Sequence, residues 1–111
     1  METIKFSVQG SAPIPYEVKF HKLGNKLSAF CTCSAGENGQ HCKHRIQILQ
    51  GSDQGIVSGN NSQVPTVAAW LIGTNLEAAL NAEIIAERDL VQAKNALSIA
   101  KKNLAHIMMH P

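Results

Sequence analysis

The sequence predicts an α+β chain: a small sheet-and-helix module followed by one long helix. Three observations predict it. Apolar and polar residues alternate in runs of strand length ahead of Cys31, every cysteine falls between Cys31 and Cys42, and no glycine or proline interrupts the chain from Thr74 to Met109.

The elements follow in chain order. Ile4-Lys5-Phe6-Ser7-Val8-Gln9 alternates apolar and polar residues, the signature of a half-buried strand, and the run from Gly10 to Pro15 breaks it. Tyr16-Glu17-Val18-Lys19-Phe20-His21 alternates again. Leu23-Gly24-Asn25-Lys26 then reads as a hairpin turn, because Gly and Asn tolerate positive φ. A third strand leads through Leu27 and Phe30 into Cys31, and a short helix is expected over Lys43–Leu49. Phe6, Val8, Tyr16, Val18, Phe20, Leu27, Phe30, Ile46 and Leu49 are the expected core. Gly51 to Gln63 is dominated by Gly, Ser, Asn, Gln and Asp and reads as a linker or ordered loop, with only Ile56-Val57 to anchor it. Pro65 suits the first turn of a helix through Thr66–Leu71 that Gly73 ends, with Trp70 packing it against its neighbours. The expected division is residues 1–50 as the folded module, 51–63 as linker and 64–111 as a helical tail.

Chemistry concentrates in Cys31-Thr32-Cys33, a glycine-bearing loop, and Cys42-Lys43-His44. Two close pairs of thiolate and imidazole donors are what a tetrahedral zinc ion takes. In an extended strand, residues two apart share a face, so Cys31 and Cys33 present both sulfurs to one ion. Within a continuous helix, Cys42 and His44 would diverge by about 160°. That pair therefore suits the entry to a helix. Gly36 and Gly39 let the intervening backbone turn back. A disulfide fits less well, since neighbours two apart in a strand are poorly arranged for one and three cysteines leave one over. A redox C-x-x-C is missing, and no apolar export segment precedes the cluster, so a reducing, cytoplasmic setting is expected. The expected ligands are Cys31, Cys33, Cys42 and His44, holding one structural zinc ion, with His41 as the substitute fourth ligand. His21 reads as a surface or neighbouring histidine, and His106 and His110 as solvated cations near a helix C-terminus.

From Tyr16 to Leu49 the chain resembles a SWIM zinc finger. The resemblance rests on C-T-C, an eight-residue spacer, C-K-H and the apolar Ile46-Gln47-Ile48-Leu49 that follows. It implies a β-hairpin and helix held by zinc on Cys31, Cys33, Cys42 and His44. It also implies DNA-binding or protein-binding roles, since such modules occur beside ATPase and transposase-like domains and in ubiquitin-pathway proteins. It covers about the first half of the chain, and no ATPase or transposase domain accompanies it here.

Length and charge narrow the classes. The 111 residues hold one ordinary domain, or a tiny one with a helical appendage. A core this small needs a staple, and a structural metal supplies folding energy. The formal charge is +2; three thiolates and one zinc ion contribute −1, leaving about +1. Through Gln50 the basic residues outnumber the acidic ones, whereas from Val64 onward they cancel. This mild bias admits DNA or RNA as a partner through Lys43, Arg45 and Lys26, although nucleic-acid binders usually carry a denser basic face. No apolar run approaches a membrane span.

The tail is the second informative segment. Thr74-Asn75-Leu76-Glu77 has the form of a capping box, and a continuous helix from there to Met109 would run about 50 Å. Its seam, Ala86, Leu90, Ala93, Leu97, Ala100, Leu104 and Ile107, is an a/d heptad of alternating alanine and leucine. Small residues on a seam let helices approach closely, which favours a tight antiparallel or intramolecular pairing, as a helical hairpin or coiled coil. A seam this long exceeds what the finger can cover, so self-association, as a homodimer, is expected. The resulting expectation is a non-enzymatic zinc-binding adaptor that binds protein. A closed four-ligand site argues against an enzyme, because catalytic zinc keeps one position open.

Overall fold

The alternating runs become strands because each places one row of apolar side chains on a common face. In the computed structural model, which describes all residues from Met1 to Pro111, β1 (Glu2–Val8), β2 (Tyr16–Leu23) and β3 (Lys26–Cys31) form an antiparallel sheet in the order β1-β2-β3. The chain is therefore α+β. Short helices α1 (Ser34–Glu37), α2 (Lys43–Leu49) and α3 (Val64–Leu71) follow, and α4 runs from Asn75 to Met109. No helix is long and apolar enough to cross a membrane.

Register is set by the hairpin. Leu23 pairs with Lys26 across Gly24-Asn25, and Gly24 takes φ +59° while no non-glycine residue has positive φ. Glycine first with positive φ is the pattern of a type II′ turn, whose twist matches that of the strands. From this turn, Phe20 falls opposite Ala29 and Val18 opposite Cys31, and β1 continues the rows with Phe6 opposite Val18. The inner face carries Ile4, Phe6, Val8, Val18, Phe20, Leu27 and Cys31, which with Ile48 and Leu49 of α2 and Val64 and Val67 of α3 make the core. Phe6 and Phe20 meet edge to face with centroids 6.1 Å apart, a preferred aromatic geometry.

Period two also explains a correction. Phe30, expected in the core, is 52% exposed. Because Cys31 and Leu27 point inward, Phe30 must point outward, where its ring meets His21 edge-on at 5.7 Å and lies 5.7 Å from the Lys19 ammonium. Tyr16 and Ile46 are half-buried, while Ile4, Ile48, Val64 and Val67 belong to the core without having been anticipated there.

Residues 51–63 lie along the edge of β1. The backbone N–H of Gln9 donates to the Gly55 carbonyl and that of Val57 to the Ser7 carbonyl, both at 2.8 Å, and Asn60 Nδ2 donates to the Lys5 carbonyl at 2.8 Å. Ile56 forms an isolated antiparallel bridge with Val8. Covering a strand edge in this way removes a site of unwanted pairing. The segment is thus an ordered loop, and the compact unit it belongs to extends from Met1 to Glu77.

Ala78–Pro111 is a second unit. Helix α4 starts at a cap: the Glu77 N–H donates to Thr74 Oγ1 at 3.3 Å, and the Glu77 carboxylate accepts from Gly73 N–H at 3.1 Å. The reciprocal bond of the capping box thus reaches one residue further back than expected. From Ile85 to the end every residue is exposed, including Leu90, Leu97, Leu104 and Ile107 of the seam.

Candidate metal centre

Each donor is placed by a local feature of the backbone. Cys31 ends β3 on its inner face. Beyond it, the Thr32 N–H donates to the Glu17 carbonyl at 3.1 Å, and the Glu17 N–H donates to Thr32 Oγ1 at 2.9 Å. This pair of bonds extends the strand register by one residue and fixes the direction in which Cys33 leaves it. Cys33 caps α1, its sulfur accepting from Gly36 N–H at 3.3 Å. Gly39, at φ +68°, turns the chain back. Cys42 caps α2 in an extended conformation, φ −133° and ψ 115°, and His44 is the second residue of that helix. The non-helical cap is what allows donors two residues apart to converge.

The four donor atoms, the sulfurs of Cys31, Cys33 and Cys42 and a ring nitrogen of His44, lie within 4.8 Å of one another. Cys33 Sγ is 3.4 Å from Cys42 Sγ, and His44 Nδ1 is 3.7 Å from Cys31 Sγ and 3.6 Å from Cys42 Sγ. A tetrahedral ion bound to sulfur at ~2.3 Å and nitrogen at ~2.0–2.1 Å has donor–donor edges of roughly 3.5–3.8 Å. The cluster therefore has the size of a four-coordinate shell and can hold a metal ion. It is not a disulfide, since all three cysteines are free and a sulfur–sulfur bond measures about 2.05 Å.

The electrostatics agree with this donor set. Burial pushes the Cys31 thiol up to about 12; the Cys33 backbone N–H partly offsets this, while Cys33 and Cys42 reinforce it. Burial also opposes the Cys42 thiolate, yet the Arg45 backbone N–H and the thiols of Cys33 and Cys31 outweigh it and hold its pKa below the ordinary value. Three sulfurs in contact cannot all ionise alone, and a dication held among them would supply the missing charge. Burial, with the neighbouring Lys43 ammonium, lowers the pKa of His44, favouring the neutral ring that a metal requires.

Residues outside the four donors hold the site together. Arg45, expected to touch a partner or nucleic acid, directs Nη1 to the Ala29 carbonyl at 3.1 Å and Nη2 to the Gln40 carbonyl at 2.6 Å. It ties the start of α2 to β3 and to the loop between the ligand pairs. Tyr16 packs against the His44 ring at a centroid distance of 4.9 Å, and Gly10 lies beside both rings. Neither role had a local sequence signal, because the contacts join residues far apart in the chain. Lys43 and Lys26 are exposed. His41 is exposed and outside the donor cluster, and His21 faces away from it, with Nδ1 2.7 Å from Thr3 Oγ1. His106 and His110 pack with ring centroids 4.7 Å apart on α4.

Gly36 serves the site by its size. Its φ is not positive, but a Cβ there would collide with the Cys31 carbonyl oxygen and stand 2.9 Å from the Cys31 Cβ. Gly36→Ala is expected to push α1 off the strand end and weaken metal binding by roughly 10–100-fold, the range for disrupted ligand support. Competition against a chromogenic chelator measures this.

Next to Cys42, an open apolar groove of about 250 Å³ is lined by Leu27, Ala29, Ile46, Leu49 and Leu76, with His41 and Arg45 also on its wall. No protein-family model, curated protein or solved structure significantly matches the chain.

Proposed function

We propose that the chain is a non-enzymatic zinc-binding adaptor of the SWIM-finger type, in which one structural zinc ion on Cys31, Cys33, Cys42 and His44 shapes a protein-binding surface and α4 mediates self-association. The observation that carries this reading is the convergence of four donor atoms within 4.8 Å of one another; an ion held tetrahedrally by all four would have no position left for substrate or an activating water. Zinc is the natural ion for three thiolates and one imidazole in such a shell. The apolar groove beside Cys42 offers a protein partner contact area held in shape by the same elements that hold the metal.

Zinc-edge X-ray absorption on the full chain tests the central point. Three sulfurs and one nitrogen, at a stoichiometry of one zinc per chain, are expected. A coordinated oxygen would mean an open site and would sink the non-enzymatic reading.

A second reading, nucleic-acid binding, is favoured by the outer face of the sheet. There Lys5, Lys19 and Phe30 stand side by side in register, with the Phe30 ring exposed, and an exposed aromatic beside cations suits base stacking with phosphate contact. A salt-sensitive mobility shift of a mixed single-stranded pool, abolished by Phe30→Ala, would favour this reading. Absence of a shift at low salt would dismiss it.

A further inference from the structure

We infer that the self-association of α4 is antiparallel, with a second copy of this chain as the partner, in a register that sets Glu87 opposite the partner's Lys101. The inference deepens the proposal above and rests on its self-association component.

The seam is the first argument. From Ala86 to Leu90 is four residues and from Leu90 to Ala93 is three, and the same steps repeat to Leu104 and Ile107. Heptad geometry then puts the leucines at a and the alanines at d. In a parallel pair a meets a and d meets d, so bulky leucine layers would alternate with alanine layers too small to fill the space. In an antiparallel pair a meets d. Leu90 then faces the partner's Ala100, Leu97 the partner's Ala93, and Leu104 the partner's Ala86. Each of these layers holds one large and one small side chain, which is how facing positions interdigitate at uniform helix spacing; beyond them Ile107 faces the partner's Glu83 at either end of the seam. These residues are exposed in the single chain, over a helix whose final 25 or so residues touch no other element heavily enough to be buried.

Charge is the second argument and is independent of the seam. Between Ala78 and Val91, Glu83, Glu87 and Asp89 oppose only Arg88, whereas beyond it Lys94, Lys101 and Lys102 have no acidic counterpart. A parallel pair would align like with like. An antiparallel pair aligns the acidic half with the partner's basic half. The helix dipole also favours acids early and bases late, but its effect falls off within the first and last turns, and Glu87, Asp89 and Lys94 lie well inside. In the leucine-to-alanine register, Glu87 meets the partner's Lys101 twice by symmetry, and Asp89 meets the partner's Asn103. The one like-charge encounter is Lys94 with the partner's Lys94 near the axis.

Sedimentation equilibrium of the zinc-loaded full chain at about 0.1 M salt tests this with Glu87→Lys, Lys101→Glu and the double variant. Each single variant is expected to raise the dimer dissociation constant roughly tenfold, since attraction at two symmetric positions becomes repulsion, and the double variant to restore it. Rescue identifies an intermolecular contact, because positions 87 and 101 are about 21 Å apart on one helix, beyond the screening length of ~10 Å at 0.1 M salt. A parent chain that stays monomeric at all concentrations would overturn self-association itself. A dimer indifferent to both single variants, or not rescued by the double, would overturn the antiparallel register and leave self-association standing.

Discussion

Cys42→Ser, or removal of the metal by a strong chelator, is expected to unfold Met1–Glu77. Structural zinc in finger peptides contributes an apparent ~10–16 kcal/mol at neutral pH. A unit of this length has a net stability of only about 4–12 kcal/mol by the usual per-residue scale. The binding term is thus comparable to or larger than the whole net stability, and the apo unit has little left to hold it. Cys42 is the donor to change, because its sulfur stands 3.4 Å from Cys33 Sγ and 3.6 Å from His44 Nδ1 and so joins both pairs of the cluster. Trp70, the single tryptophan, sits half-buried on α3 in the same unit, remote in sequence from the cysteines. Its emission should shift to the red on chelation and recover on return of zinc. Unchanged emission and melting temperature after complete metal removal would show that the aromatic core suffices alone.

The sheet was legible because period-two alternation survives translation into structure: Phe6, Val8, Val18, Phe20 and Leu27 are all buried as the pattern requires. The turn at Gly24-Asn25 and the Thr74 cap were legible for the same reason, since each depends on residues a few positions apart. The two donor pairs were also local signals, and the strand end and helix entry place them as their spacing implied. What resisted reading was long-range. Nothing near Arg45 in sequence announces that its guanidinium will bridge Ala29 and Gln40, and nothing near Asn60 announces Lys5. Phe30 is apolar but adjacent to Cys31, so strand parity sets it on the opposite face. Counting from the ligand, which must face inward, turns it outward. The polar stretch 51–63 reads as either linker or ordered loop, because its anchoring is by backbone hydrogen bonds to β1, which composition does not reveal.

Phe20→Ala is expected to weaken zinc affinity although Phe20 supplies no donor. The side chain is fully buried, pairs across β2–β3 with Ala29, and packs edge to face on Phe6. Truncating a buried phenylalanine costs about 3–5 kcal/mol, combining lost transfer energy with the cavity left behind. If the apo unit is unfolded, metal binding and folding are one reaction, and the core penalty is charged against the measured affinity. At 1.4 kcal/mol per decade, the apparent dissociation constant should rise by about two to three and a half orders of magnitude. The same substitution in a unit that folds without metal would lower the apo melting temperature and leave affinity nearly unchanged. Chelator competition on the parent and Phe20→Ala chains therefore separates a metal that creates the fold from one that only decorates it. The outcome expected from the small core is the first, with loss of affinity tracking loss of core packing at a residue outside the coordination shell.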